Sequence, residues 1–116
     1  MKEINGSIEY KGKELKLAFN LNVMEIIQDK YDTIEKWGEL TDGTATGEPN
    51  AKAVIFGFGA MINEAIDIEN EENGTDLKPY TLKQVGRILT EIGFENAAKI
   101  LNKTVIESTQ SAEKNA

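Results

Sequence analysis

Apolar and polar residues alternate over the first twenty positions of the chain, and this period of two predicts a β-hairpin over about residues 4–19. The alternating apolar residues are Ile4, Ile8 and Tyr10 before the turn and Leu15, Leu17 and Phe19 after it. Gly12 lies in the turn between them, where it can adopt the positive φ angle that a tight hairpin turn requires. Because an isolated hairpin is only marginally stable in water, its apolar face is expected to pack on the rest of the chain.

A helical period follows the hairpin and predicts two short helices over about residues 23–40. Each begins with an Asn or Asp followed three residues later by Glu, a pair whose side chains can bind the free backbone amides of a first helical turn. These capping pairs are Asn22 with Glu25 and Asp32 with Glu35. The apolar residues that share one side of the second helix are Ile34, Trp37 and Leu40.

Three longer helical segments fill the rest of the sequence after a polar loop over about residues 41–50. The first spans about residues 51–71, and its length of roughly 32 Å favours a central position in the fold. Thr81 and Gln84 form a further capping pair at the start of the next helix, which ends at Gly93. The last helix is expected over about residues 95–108. A flexible tail is expected after it, because Ala is the one apolar residue type from position 108 to the end.

These elements predict an α+β fold in which an N-terminal β-hairpin packs on a mainly helical bundle of about five helices. The hairpin at about 4–19 and the helices at about 23–106 make one predicted domain of residues 1–107, followed by the flexible tail of residues 108–116. A chain of 116 residues suits one hydrophobic core, and no internal repeat or linker divides it.

Composition narrows the chemistry that the chain can perform. It contains no Cys and no His, which removes disulfides, thiol nucleophiles, Ser–His triads and imidazole metal sites. Its 13 basic and 20 acidic residues give a net charge of −7, and the basic residues form no stripe, which argues against nucleic-acid binding. The N-terminus lacks the apolar run of a signal peptide, and the longest apolar run, over residues 53–62, is too short to span a bilayer. The sequence therefore predicts a cytoplasmic protein without membrane contact.

Two local patterns resemble functional motifs, but a structural role accounts for each. The acidic segment from Asp67 to Asp76 lacks the glycine and glutamate spacing of a calcium loop and is expected to be a solvated helix end. Gly57 and Gly59 lie inside a helical apolar pattern, where they are expected to allow the close approach of another helix or of the hairpin. No catalytic, metal-binding or cofactor-binding residue is predicted.

The order of the elements and several local strings resemble those of a known family. The strings are Leu15-Lys-Leu-Ala-Phe-Asn-Leu-Asn22, Val23-Met-Glu-Ile-Ile-Gln-Asp-Lys-Tyr31, Ala60-Met-Ile-Asn-Glu64 and Pro79-Tyr-Thr-Leu-Lys-Gln-Val-Gly86. Over about residues 4–106 the chain is similar to the small tail assembly chaperones encoded by siphophages and prophages of Gram-positive bacteria. Members of this family coat the long tape measure protein and help to recruit tail tube subunits. Many are also made as a longer product by ribosomal frameshifting.

The resemblance implies a protein without catalytic residues that acts by protein–protein contact in the bacterial cytoplasm. Such a chaperone needs exposed apolar surface, and Trp37, Phe56 and Phe58 are the residues predicted to contact a partner. For Trp37, beside the polar loop, a position in the core is favoured over one at an interface. Homo-oligomerisation stays open. Two other classes also stay open: a structural subunit of the tail or head–tail connector, and a small acidic regulatory protein that binds a host factor.

Overall fold

A β-hairpin followed by five helices makes up the described part of the chain, which has an α+β fold. A computed structural model describes residues 6–114, with side chains described for residues 6–109. The elements are β1 (Gly6–Tyr10), β2 (Lys13–Leu17), α1 (Leu21–Tyr31), α2 (Ile34–Asp42), α3 (Ala51–Asn73), α4 (Leu82–Ile92) and α5 (Phe94–Lys114). The predicted fold class is confirmed. Ile4, placed in the predicted hairpin, lies outside the described residues.

The antiparallel hairpin is attached to the helices by apolar side chains and by one backbone hydrogen bond. Its turn consists of Lys11 and Gly12, whose φ angles are 51° and 74°, so the lysine adopts a left-handed conformation as well as the glycine. The buried apolar residues of the two strands are Ile8, Leu15 and Leu17. Directly after β2, the Ala18 amide donates a hydrogen bond to the Met61 carbonyl of α3 (3.2 Å), which fixes the hairpin against that helix.

The first two helices begin at caps other than those predicted. Asn20, not Asn22, caps α1, and its side-chain oxygen accepts a hydrogen bond from a backbone amide in the first turn. Thr33, not Asp32, caps α2 by accepting a hydrogen bond from the Lys36 amide (3.0 Å). Asp32 instead ends α1, and its carboxylate binds the Lys36 ammonium (2.8 Å). Both predictions were wrong because a second capping residue lies one or two positions away and forms the cap instead.

The remaining boundaries differ from the predicted ones by short extensions. α2 continues through the buried Thr41, so the following loop covers residues 43–50, and α3 continues to Asn73. The capping box of Thr81 and Gln84 at the start of α4 is confirmed by both of its hydrogen bonds.

The segment predicted as a flexible tail, residues 108–116, is helical as far as Lys114. Ser108 is buried, and its hydroxyl donates a hydrogen bond to the Thr104 carbonyl one turn earlier (2.7 Å). Thr109 makes an equivalent bond to the preceding turn. α5 therefore continues beyond the predicted end, and its buried side chains reach as far as Ser108.

α3 lies at the centre of the fold, as its predicted length suggested, and contacts β2 and each of the other four helices. One cluster of buried apolar side chains joins the hairpin to the helices. The largest fully buried apolar side chains are those of Trp37, Phe58, Leu17, Ile27, Met61, Ile62 and Leu101. Burial of such side chains is the main favourable contribution to the stability of the fold.

Candidate protein-docking surface

Two of the three residues predicted to contact a partner, Trp37 and Phe58, belong to the core. Trp37 is 1% exposed, and its indole N–H donates a hydrogen bond to the Ala53 carbonyl (3.0 Å). The indole lies against Gly57, where an added Cβ atom would collide with it. Phe58 is fully buried. The core position favoured for Trp37 is therefore confirmed, and Phe58 likewise fills the interior of the helical bundle, so neither ring contributes to the described surface.

Phe56 is the predicted contact residue that reaches the surface, where it is partly buried beside α1. Its ring meets the ring of Tyr31 edge to face, with the centroids 5.7 Å apart and the planes at 70°. The ammonium of Lys30 lies 5.0 Å from the centroid of the Phe56 ring, within the range of a cation–π contact. Two residues of α1 therefore hold this ring at the surface.

Two exposed apolar side chains flank Phe56 and extend it into a continuous surface. Ile26 of α1 is 43% exposed, and Leu82 at the start of α4 is 51% exposed. Two open grooves, of about 440 and 450 Å³, both have Phe56 and Leu82 in their walls. We call this area the α1–α3–α4 surface. Its apolar residues are Ile26, Ile55, Phe56, Ala60 and Leu82.

Gly59 allows α3 and α4 to approach each other below this surface. A Cβ atom added at Gly59 would lie 3.0 Å from Leu82 Cδ2, closer than ordinary contact, whereas one added at Gly86 would lie at an ordinary contact distance of 3.6 Å from Ile55 Cδ1. The prediction that Gly57 and Gly59 allow close packing is therefore confirmed. Because Gly59 has no side chain, the exposed Leu82 of α4 can pack closely against α3.

The two grooves of the α1–α3–α4 surface differ in charge. Glu64 and Asp67 line the groove that contains Ile26, and the Glu64 carboxylate accepts hydrogen bonds from the side chains of Asn20 (2.8 Å) and Asn22 (3.1 Å). The three charged residues that line the other groove are all lysines, namely Lys30, Lys52 and Lys83. The surface thus has an acidic end and a basic end on either side of Phe56 and Leu82.

A third groove, of about 310 Å³, lies between β2 and the segment that connects α3 to α4. Asn63 holds that segment by donating a hydrogen bond to the Tyr80 carbonyl (3.0 Å) and accepting one from the Tyr80 amide (2.8 Å). Asn70, two helical turns later, binds the amide and the carbonyl of Leu77 in the same way. These two side chains fix the connecting segment along α3 and so position Leu82 at its end.

The described residues show little that points to catalysis or metal binding. Among them, no three acidic side chains come together as a possible metal site. Asp76 pairs with Lys78 at the exposed end of the acidic segment (3.7 Å). The hydrogen bond and charge of Lys36 lower the pKa of the exposed Asp32 carboxyl, whereas burial raises the pKa of the Tyr31 phenol. Neither group lines any of the three grooves described above, where an altered pKa could serve a reaction.

Ile26 and Leu82 are surface residues that sequence reasoning missed. The buried residues of α1 are Val23 and Ile27, which lie about one turn apart on the same face, whereas Ile26 is rotated about 100° away from Ile27. Leu82 is the first residue of α4, where a side chain has less of the helix around it. The position of Ile26 outside the face of Val23 and Ile27, and the position of Leu82 in the first turn of α4, were therefore the available indications of exposed surface.

No protein-family model, curated protein or solved structure matches the chain. Among the described residues, no helix is both long enough and apolar enough to cross a membrane.

Proposed function

We propose that this chain is a non-enzymatic tail assembly chaperone that works in the bacterial cytoplasm. It holds the tape measure protein through the α1–α3–α4 surface and helps to recruit tail tube subunits. The observation that carries this proposal is that the exposed Ile26 and Leu82 and the partly buried Phe56 line two adjoining grooves, on a chain whose net charge is −7. The partners named in this proposal are those implied by the resemblance of about residues 4–106 to tail assembly chaperones.

A holding chaperone must offer apolar surface and still remain dissolved. An amphipathic helix of a partner can place its apolar side chains in grooves such as the two that share Phe56 and Leu82. The net charge of −7 opposes self-association of the chain, so a limited apolar surface can stay open before the partner is made. Both requirements are met without a bound cofactor or a catalytic group.

Co-expression with the long helical protein encoded just downstream tests the proposal. The tape measure protein should be largely insoluble when expressed alone and should become soluble and co-purify with the tagged chain when both are expressed. If the partner stays insoluble and the chain elutes alone, the proposed function is wrong. Mass spectrometry of purified phage particles separates this function from that of a structural subunit, because a chaperone should be absent from them.

A further inference from the structure

The basic groove of the α1–α3–α4 surface has a charge opposite to that of the chain as a whole. We call it the lysine-rimmed groove; its residues are Lys30, Lys52, Ile55, Phe56, Leu82, Lys83 and Gly86. Its apolar floor comes from α3 and α4, and its three lysines come from α1, α3 and α4 respectively. Three positive charges therefore surround an apolar groove in a chain whose net charge is −7.

The ammonium groups of the groove are not neutralised by the carboxylates of the described residues. Lys30, Lys52 and Lys83 are exposed, and none of them forms an ion pair with a described acidic residue. Lys16, Lys36, Lys78 and Lys103 do form such pairs, whereas Lys11, Lys13 and Lys99 resemble the rim lysines in forming none. What distinguishes the rim is that three such lysines surround one apolar groove. A lysine side chain can place its methylene groups on apolar surface while its ammonium group remains in water. The rim therefore offers three cations at the border of an apolar floor.

We infer that the lysine-rimmed groove binds an amphipathic helix of a partner protein whose apolar stripe is bordered by carboxylates. This inference rests on the proposed chaperone function and adds the chemistry of the partner segment. The apolar side chains of that helix contact Phe56 and Leu82. Its carboxylates meet lysines on both sides of the groove, so charge complementarity sets which segments bind and how they are oriented.

An anionic membrane fits the same groove less well than a helix does. Binding to anionic lipid is typical of clusters of about four to eight basic residues, and the groove has three. A membrane would also bring its charge close to the neighbouring acidic groove, which contains Glu64 and Asp67. A single helix, with a diameter of about 10 Å, can instead lie over the lysine-rimmed groove, whereas a membrane surface would cover both grooves.

Two synthetic helical peptides of equal length test the inference with the full chain. Both carry the same leucine stripe, which is bordered by glutamates in one peptide and by lysines in the other. The net charge of the chain favours the Leu/Lys peptide, whereas the groove favours the Leu/Glu peptide. Fluorescence anisotropy at about 0.1 M salt, where the Debye length is about 10 Å, should show the Leu/Glu peptide binding at least about tenfold more tightly. Equal binding, tighter binding of the Leu/Lys peptide or no binding of either would overturn the inference.

Charge reversal provides a matched pair of variants for this experiment. The triple variant K30E/K52E/K83E should lose the preference for the Leu/Glu peptide, because the rim itself becomes acidic. The control K13E/K99E/K103E has the same net charge but alters exposed lysines outside the groove, so it should retain the preference. Circular dichroism establishes that both variants are folded. Loss of the preference in both variants would show that overall charge controls binding and would contradict the inference.

Two further outcomes distinguish the helix-binding groove from a lipid-binding surface and from the chaperone function itself. Sedimentation of the chain with phosphatidylglycerol vesicles, without binding of the Leu/Glu peptide, would identify a lipid surface as the occupant and reject the helix. Binding of the Leu/Glu peptide without co-purification of the tape measure protein would support the groove and reject the proposed function. Co-purification of the tape measure protein without binding of the Leu/Glu peptide would support the proposed function and reject the lysine-rimmed groove as a site for a helix bordered by carboxylates.

Discussion

Gly57 and Trp37 fit together because the glycine has no side chain where the indole ring packs. The indole is also fixed by its hydrogen bond to the Ala53 carbonyl, so the ring has little freedom to move away from an added atom. A glycine inside a helix lowers helix stability by about 1 kcal/mol relative to alanine. At this position the better packing of the tryptophan offsets that loss.

Replacing Gly57 with alanine should destabilise the protein by about 1–3 kcal/mol, because the new methyl group overpacks the core against Trp37. Gly38→Ala is the matched control. A Cβ atom at Gly38 meets no other atom within 4 Å, so alanine should increase the free energy of unfolding by about 0.5–1 kcal/mol there. Urea denaturation measures both changes. If G57A proves as stable as G38A, the contact with Trp37 does not limit the size of residue 57.

Tyr31 carries the one buried side-chain polar atom without a hydrogen-bond partner among the described residues, its hydroxyl oxygen. Tyr31→Phe should therefore increase the free energy of unfolding by about 1 kcal/mol at neutral pH, because an unsatisfied polar group is removed. Burial raises the pKa of this phenol above its ordinary value of 10 in the folded state. The folded protein thus keeps the phenolic proton at pH values where the unfolded chain releases it.

The pH dependence of Y31F follows from that difference in proton binding. Below pH 10 both states of the wild type are protonated at Tyr31, and the effect of the mutation should be constant. As the pH rises above 10, wild-type stability falls through this group, so the advantage of Y31F should grow. Urea midpoints of both proteins across this pH range measure the difference. An advantage that shrinks at alkaline pH would contradict the raised pKa.

At the scale of elements, the segment between α3 and α4 is held by side-chain amides rather than by secondary structure. Asn63 and Asn70 each bind the amide and the carbonyl of one residue in that segment. The two asparagines are two helical turns apart, so they fix two points of a connection that would otherwise be free to move. The start of α4, and with it Leu82, is placed relative to Phe56 by this arrangement.

Asn63→Ala should destabilise the protein by about 2 kcal/mol, because it leaves both backbone groups of Tyr80 without their partner. Asn73→Ala makes the same chemical change at an exposed position near the end of the same helix and should alter stability by less than about 0.5 kcal/mol. Urea denaturation compares the two variants. Hydrogen exchange of the Tyr80 amide should accelerate in N63A, and an unchanged exchange rate would show that Asn63 does not fix the segment.

Much of the element order is predictable from the sequence because caps and apolar periods are local features. The Thr81–Gln84 pair predicts the start of α4 correctly, since no other capping residue competes near it. Asn22 and Asp32 fail as predicted caps because Asn20 and Thr33 lie close by and are equally able to accept the first-turn amides.

At the scale of the whole molecule, the exposure of a side chain depends on contacts between segments that are distant in sequence. The spacing of apolar residues along one helix or strand does not reveal these contacts. Trp37 is buried because Gly57 faces it from another helix, and Leu82 is exposed because α4 meets α3 with its first residue at the rim. The proposed partner surface therefore shifts from the predicted aromatic trio to Phe56 with Ile26 and Leu82. Of the three predicted aromatic residues, Phe56 remains at the surface, where it lies beside Lys30 of α1.

The most direct measurement is the amount of tape measure protein that co-purifies in soluble form with the double variant I26S/L82S. This variant removes the two most exposed apolar side chains of the α1–α3–α4 surface. The control L77S/I106S also changes one leucine and one isoleucine, which are 44% and 54% exposed but line neither groove of that surface. Circular dichroism establishes that both variants are folded.

Because the α1–α3–α4 surface is the proposed docking site, we expect I26S/L82S to lose most of the co-purified tape measure protein. L77S/I106S should retain this partner at the wild-type level. The proposed function implies this result, because a folded chain without these exposed apolar residues could no longer cover the apolar stripe of the tape measure protein. Retention of the partner by I26S/L82S, or its loss in L77S/I106S alone, would contradict the assignment of this surface as the docking site.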